Sequence, residues 1–281
     1  MIHKARRLVV TTVLVMLMVF GMTLPAFALE NKTDTVWGTT TASAYITLAL
    51  YQDGDTIKIP KSYLDSVADG DTYIAKATAA YYEAYKQSAY LFMPESVSFG
   101  ESGEYVILRR TSLFDDGVEA QLMKTLEITA DRIVSEIISP SMSEYDKAVA
   151  IYNYVRNARV YDWKTYDIIV GDNWRSQKKD IAYGISAYGT LMQGVSVCQG
   201  DSQAYNLLAR KAGLTSMLSS GLVNGTLNHA WNRVWANGQW YDLDCTYSLF
   251  CSSFSEYSSR MGGVVHTNNG MLQSSVDVYL K

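Results

Sequence analysis

The stretch His229-Ala230-Trp231-Asn232-Arg233-Val234-Trp235-Ala236-Asn237-Gly238-Gln239-Trp240-Tyr241-Asp242-Leu243-Asp244-Cys245-Thr246 reads as two aromatic-rich strands joined by an Asn-Gly turn. Asn-Gly supplies the two left-handed residues that a two-residue hairpin loop needs, and that loop matches the twist of its strands. With such a loop Ala236 pairs with Gln239, Trp231 falls opposite Asp244 and His229 opposite Thr246. Side chains alternate along a strand, so His229, Trp231, Asp244 and Thr246 share one face. His229 and Asp244 are then diagonal neighbours within reach of a side-chain hydrogen bond. A three-residue loop would invert the parity of one strand and part them.

Upstream, Val197-Cys198-Gln199-Gly200 leads into the strongest helical pattern of the chain, predicted over Gln199–Ala212. Ala204, Leu207 and Leu208 point inward and Gly213 stands at the C′ position. Cys198 sits at or just before the first turn, where the peptide dipoles favour a thiolate. Gly200 leaves room there for another chain segment. A carboxylate that fixes an imidazole, and an imidazole beside a helix-N-terminal thiol, is the arrangement nucleophilic cysteine catalysis requires. Cys198, His229 and Asp244 are the candidate catalytic residues. Taken alone, Cys198 reads equally well as a buried structural cysteine; the rival reading of His229, a hydrogen-bonded core histidine, is disfavoured by its Asp-bearing partner strand.

Other groups have simpler readings. Asp242 shares the face of Asp244 but lies opposite Arg233, so a cross-strand ion pair explains it. Asp201 complements the helix dipole. His266, in a Gly/Thr/Asn-rich stretch, reads as a solvated loop residue. Trp231, Trp235 and Trp240 read as hairpin packing, and Trp231 is also a candidate wall of a substrate cleft. No CxxC or HExxH spacing joins the cysteines and histidines, so neither a metal nor another cofactor is expected.

Across the whole chain, 24 Lys+Arg stand against 28 Asp+Glu in 281 residues, a net charge of −4 at pH 7. Residues 1–28 read as a signal peptide: Lys4, Arg6 and Arg7, then the apolar run Leu8–Met22, then Ala26-Phe27-Ala28 as a cleavage site. A single anchor helix is the rival, but the run is short for a span of ~20 residues. Its removal leaves Leu29–Lys281, more acidic than the whole, with no basic run for nucleic acid or anionic lipid. No second apolar stretch approaches a span, and Ser275–Lys281 carries no hydrophobic tail. The expected product is secreted, extracellular or at the cell surface, with no stable membrane insertion. Its three cysteines, Cys198, Cys245 and Cys251, are too few for a disulfide scaffold. Cys245 and Cys251 are close enough to pair, and equally plausible as free small hydrophobes.

Residues 29–112 form an N-terminal extension without evident chemistry, with a helix expected over Thr72–Tyr90 and a strand over Glu104–Arg109. A catalytic domain is expected over 113–256. It opens with a helix to about Ile138 whose apolar side is Leu122, Leu126, Ile128, Ile133 and Ile137. Ser143 caps the next helix with Asp146 three residues on, and Tyr145, Val149, Tyr152 and Val155 form its buried stripe. Tyr161–Asp180 reads as a surface loop, Ser186 opens a short helix closed by Gly194, and Thr215–Val223 is a strand. Residues 257–281 read as a C-terminal tail.

Val197-Cys198-Gln199-Gly200, His229-Ala230-Trp231-Asn232 and Asn237–Thr246 together resemble, in order and spacing, the bacterial transglutaminase-like superfamily. The resemblance covers about residues 140–250, including Ser186-Ala187-Tyr188-Gly189. It implies an α+β, papain-like transglutaminase core, with the nucleophile at a helix N-terminus packed on an antiparallel sheet, and a triad of Cys198, His229 and Asp244. Asp201-Ser202 stand where the family often has an aromatic and an alanine, which implies a more polar pocket lip. Cys245 replaces a frequent proline or valine. For the oxyanion, the Cys198 backbone N–H is one donor, with Tyr188 or Gln193 as candidate seconds.

The expected function is a secreted cysteine enzyme that acts on an amide or peptide bond through a thioester on Cys198, with hydrolysis favoured over transamidation. A protein or peptide, such as a cell-wall peptide, is the expected partner. A non-catalytic cell-surface or wall-peptide binding module is the alternative; the chain's 21 tyrosines would suit it, but such a module needs none of the three triad residues. In a further reading the N-terminal extension is a propeptide lying over the cleft.

Overall fold

A computed structural model describes residues 40–171 and 174–266. The signal peptide expected over residues 1–28 and the last residues, Ser275–Lys281, lie outside them. The N-terminal extension is a small α+β unit. Thr40 caps helix α1 (Thr41–Asp53) in a reciprocal box with Ser43, and Thr72 caps α2 (Tyr73–Gln87) by accepting the Ala75 N–H. Strands β1 (Thr56–Pro60), β2 (Pro94–Ser102) and β3 (Tyr105–Ser112) form an antiparallel sheet in the order β1-β3-β2. Ile46, Ile59, Ala77, Tyr81 and Leu108 close a core of its own between helices and sheet. The helix stops three residues short of the expected Tyr90, because the chain turns extended at Ser88 to bury Ala89 and Tyr90 elsewhere.

That second burial ties the extension to the rest of the protein. Ala89 and Tyr90 share a hydrophobic cluster with Leu207 and Leu208. Beside them the fully buried Gln87 accepts from the Leu218 and Asn206 amides and donates to the Leu218 carbonyl, while Arg210 Nη1 donates to its backbone oxygen at 2.6 Å.

Gly117, left-handed at φ 80°, opens α3 (Val118–Ile137), and Ser143 with Asp146 makes the expected capping box for α4 (Glu144–Asn157). Both stripes differ in detail from the sequence reading. In α3 Leu126 and Ile133 are buried as expected, but Ile128 is 60 % exposed and Ala130 is buried; in α4 Tyr152 and Val155 are buried as expected, but Tyr145 turns outward and Ala148 and Ile151 are buried. Tyr161–Asp180 is not a loop. Two-residue strand β4 (Val160–Tyr161) leads into α5 (Trp163–Val170), capped by Asp162, and then into a 3-10 turn and the one-turn helix Lys178–Ile181. Its aromatic face stays at the surface, which is why no inward period marks it.

A single π-turn, Gly189–Gln193, closed by Gly194, precedes β5 (Val195–Ser196), which pairs in parallel with β4. Helix α6 (Cys198–Lys211) then packs on a five-stranded antiparallel sheet. The sheet comprises β6 (Thr215–Val223), β7 (Leu227–Ala236), β8 (Gln239–Asp244), β9 (Leu249–Cys251) and β10 (Val264–His266), in the order β10-β6-β7-β8-β9. Leu207, Leu208, Val234 and Leu243 meet in the main core, each worth roughly 1.5–3 kcal/mol over exposure. Expected to be in a loop, His266 lies in β10, its backbone paired with Gly221. The expected tail folds as helix α7 (Phe254–Arg260) against this sheet, with Tyr257 fully buried. Among the described residues no helix is long and apolar enough to cross a membrane.

Candidate active site

The hairpin has the predicted register. Asn237 and Gly238 both take positive φ, 49° and 81°, and Ala236 pairs with Gln239, Val234 with Tyr241 and Arg233 with Asp242. Beyond the paired residues the same parity carries His229 to Asp244: His229 Nε2 lies 2.6 Å from Asp244 Oδ2. Asp244 ends β8, and its other oxygen accepts the backbone N–H groups of Thr246 and Tyr247, both at 2.9 Å. Tyr257 donates its hydroxyl to Oδ2 at 3.0 Å. Four donors therefore hold one buried carboxylate.

Cys198 is the first residue of α6 and is partly exposed. No side chain caps this helix, so its leading N–H groups are open toward the thiol. The close approach expected of Gly200 is real: a Cβ there would stand 2.8 Å from the Gly184 carbonyl oxygen and 2.9 Å from that of Ser186. The chain before the nucleophile thus sits directly beneath the helix. Burial works against a charged His229, but the charge and hydrogen bond of Asp244, joined by the Cys198 thiol, outweigh it and hold the imidazole pKa up at about 10. The Asp244 carboxylate and the Cys198 thiol thus both act on the His229 imidazole.

Asp242 does pair with Arg233, Nε 3.1 Å from Oδ1, as a close charge pair rather than a well-directed hydrogen bond. It also accepts the Trp231 indole N–H at 3.4 Å. Burial pushes its carboxyl up, against the pull of Arg233. Trp231 does not wall a cleft. It is fully buried, stacked between the His229 and Tyr257 rings at centroid distances of 6.4 and 5.1 Å. Tyr188 is half-buried against Phe92 and Tyr183, and Gln193 is exposed on the π-turn. Cys245 and Cys251 are free thiols in separate clusters, the first beside Tyr152, the second against Trp231 and Tyr257.

Asp201 is not a helix-dipole ornament, nor does it line a pocket lip. It is 1 % exposed and accepts from Arg159, Ser196 Oγ at 2.7 Å and Thr246 Oγ1 at 2.7 Å. Burial raises its carboxyl pKa, while Arg159, Ser196 and Thr246 draw it back down. Arg159 reaches on to the Cys245 carbonyl at 3.3 Å. The first turn of α6 is thereby fastened to the loop that positions Asp244. Ser202, its neighbour, is buried too.

The sequence reading also missed the aromatic rim. The Tyr247 ring packs edge-on to His229 at 5.0 Å and remains 48 % exposed. Tyr161, Trp163 and Tyr166 cluster on the opposite segment, and burial together with the nearby Cys198 pushes the Tyr161 phenol up. Only Tyr247, next in sequence to the Thr246 register position, carried a local signal.

Residues 131–245 match the family profile of the transglutaminase-like superfamily. No curated protein matches the chain. Among solved structures, one of a TGase aligns at 18 % identity over 55 % of this chain and 44 % of that one, with a TM-score of 0.39. A proposed cysteine protease from Cytophaga hutchinsonii aligns at 13 % identity over 61 % of this chain and 65 % of that one, at 0.35. A proposed protease from Parabacteroides distasonis aligns at 9 % identity over 57 % of this chain and 41 % of that one, at 0.31. The chain thus spans less than two thirds of the length of each. The similarity to the transglutaminase-like superfamily is thus confined to residues 131–245, the stretch in which a helix-borne cysteine is set against an antiparallel sheet.

Proposed function

We propose that the protein is a secreted cysteine enzyme that cleaves an amide or peptide bond through a thioester on Cys198. The observation that carries this reading is the hydrogen bond of His229 to a buried, four-donor Asp244, with the Cys198 thiol raising the same imidazole's pKa. Asp244 engages Nε2, which leaves Nδ1 as the ring nitrogen for the thiol. Cys198 gives its proton to His229 and its sulfur attacks the carbonyl carbon. The oxyanion meets the N–H groups at the head of α6. The imidazolium returns the proton to the leaving amine as the C–N bond breaks, giving the thioester. His229 then takes a proton from water, whose oxygen attacks the thioester, and the carboxylic acid leaves as the thiol is restored.

Hydrolysis is favoured over transfer to an amine because Cys198 is partly exposed beside a half-exposed Tyr247, which leaves water free access. The proposed substrate is a protein or peptide outside the cell, with residues 113–256 as the catalytic domain. Incubation with a peptide library, with and without a primary amine, tests it by mass. The reading predicts products cleaved with addition of water that vanish in Cys198→Ala. Amine adducts in preference to acids would make the enzyme a transamidase, and products unchanged in Cys198→Ala would remove Cys198 from the chemistry.

A further inference from the structure

Tyr257 lies beyond the segment that matches the superfamily, on the seven-residue helix α7, yet its side chain ends on the carboxylate of the site. We propose that Tyr257 is a positioning residue for the reaction: its hydroxyl shares Asp244 Oδ2 with His229, sets the direction of that carboxylate and limits how strongly it holds the imidazolium. The inference rests on the reading of Cys198, His229 and Asp244 given above.

Three observations carry it. The Tyr257 O–H to Oδ2 distance is 3.0 Å and the His229 Nε2 to Oδ2 distance is 2.6 Å, so two donors meet on one oxygen. The Tyr257 ring is fully buried and stacks on Trp231, which stacks on His229, so imidazole, indole and phenol form one packed column. Oδ1 is already taken by the N–H groups of Thr246 and Tyr247, so Oδ2 is the oxygen that meets the two side-chain donors.

The chemistry follows from sharing. A carboxylate that accepts a neutral hydroxyl has less charge to offer its imidazolium. The imidazolium is then a stronger acid and gives its proton to the leaving amine more readily. Burial and the two carboxylates Asp242 and Asp244 push the phenol far up, so it stays protonated and donating across the working pH range. The other titratable groups around this pair are Cys198 on α6, Tyr247 and Cys245 on the loop, Arg233 paired with Asp242, Cys251 on β9 and Tyr152 on α4. Their charges change little on replacing Tyr257 by Phe, which keeps the ring in the column.

The test is the titration of His229 by histidine-selective NMR, in a Cys198→Ser background that removes the thiol's own influence. Tyr257→Phe should move the titration upward by about one pH unit. In an Asp244→Asn background the same change should move nothing, because the shared oxygen is gone. In the chain with Tyr257 intact, the Tyr257 Cζ resonance should follow the His229 titration, a readout that needs no Tyr257 variant to fold. With Cys198 restored, Tyr257→Phe should lower kcat about tenfold with KM unchanged. A His229 titration unmoved by Tyr257→Phe, or a flat Cζ resonance, would overturn the proposal even if the enzyme is active. An inactive enzyme with the titrations behaving as stated would instead remove the catalytic reading and leave the shared carboxylate standing.

Discussion

Arg159 Nη2 lies 2.6 Å from Asp201 Oδ2, with both side chains at most 9 % exposed. The pair joins the segment entering β4 to the first turn of the nucleophile's helix, and through Thr246 to the loop that holds Asp244. Truncating one partner of such a pair leaves a buried charge without compensation. Arg159→Met should therefore cost about 3–5 kcal/mol of unfolding free energy by urea titration, whereas a surface pair such as Arg132–Glu136 should cost under about 1 kcal/mol when broken.

His229 links stability to pH. Its folded pKa of about 10 lies above the ordinary 6.5. The stabilisation is therefore fully present below about pH 6.5 and is lost as pH rises toward 10. The melting temperature should fall across that window, and the fall should flatten in His229→Ala. A wild-type curve parallel to that of the variant would contradict the Asp244–His229 coupling.

Gly200→Ala tests the seat of the nucleophile. The added Cβ meets two backbone carbonyl oxygens and the Ser196 Cβ, each closer than 3.0 Å, and backbone cannot swing aside as a side-chain tip can. The expected loss is about 1–3 kcal/mol, with slowed alkylation of Cys198 in the fraction that stays folded.

The extension should prove structural rather than inhibitory. Gln87→Ala removes the buried acceptor of the Leu218 N–H and the Asn206 amide, at about 1–3 kcal/mol. Removing residues 40–112 should leave insoluble protein. A soluble, more active product would revive the propeptide reading.

What the sequence revealed followed from local rules. Two residues of turn chemistry, Asn237 and Gly238, set the hairpin register, and from that register alone His229 came into reach of Asp244. Cys198 was placed at the head of its helix by periodicity and the terminal Gly213. The interactions that escaped are long-range or inverted in pattern. Asp201 meets Arg159 and Thr246 across 42 and 45 residues, and Gln87 meets Leu218 across 131. Helix α5 shows its aromatic side to solvent and so has no inward stripe. Tyr257 sits in a serine-rich stretch whose single buried side chain leaves no period to read.

Pairing of the Cys198 thiolate with the His229 imidazolium is read most directly from the rate of Cys198 alkylation by iodoacetamide against pH, followed by peptide mass. An ordinary thiol with a pKa of ~8.5 is almost wholly protonated at pH 6. Ready alkylation of Cys198 at pH 6 is expected, lost in His229→Ala, with Cys245 and Cys251 inert in both. Alkylation of Cys198 that rises only above pH 8 and is the same in His229→Ala would contradict that pairing.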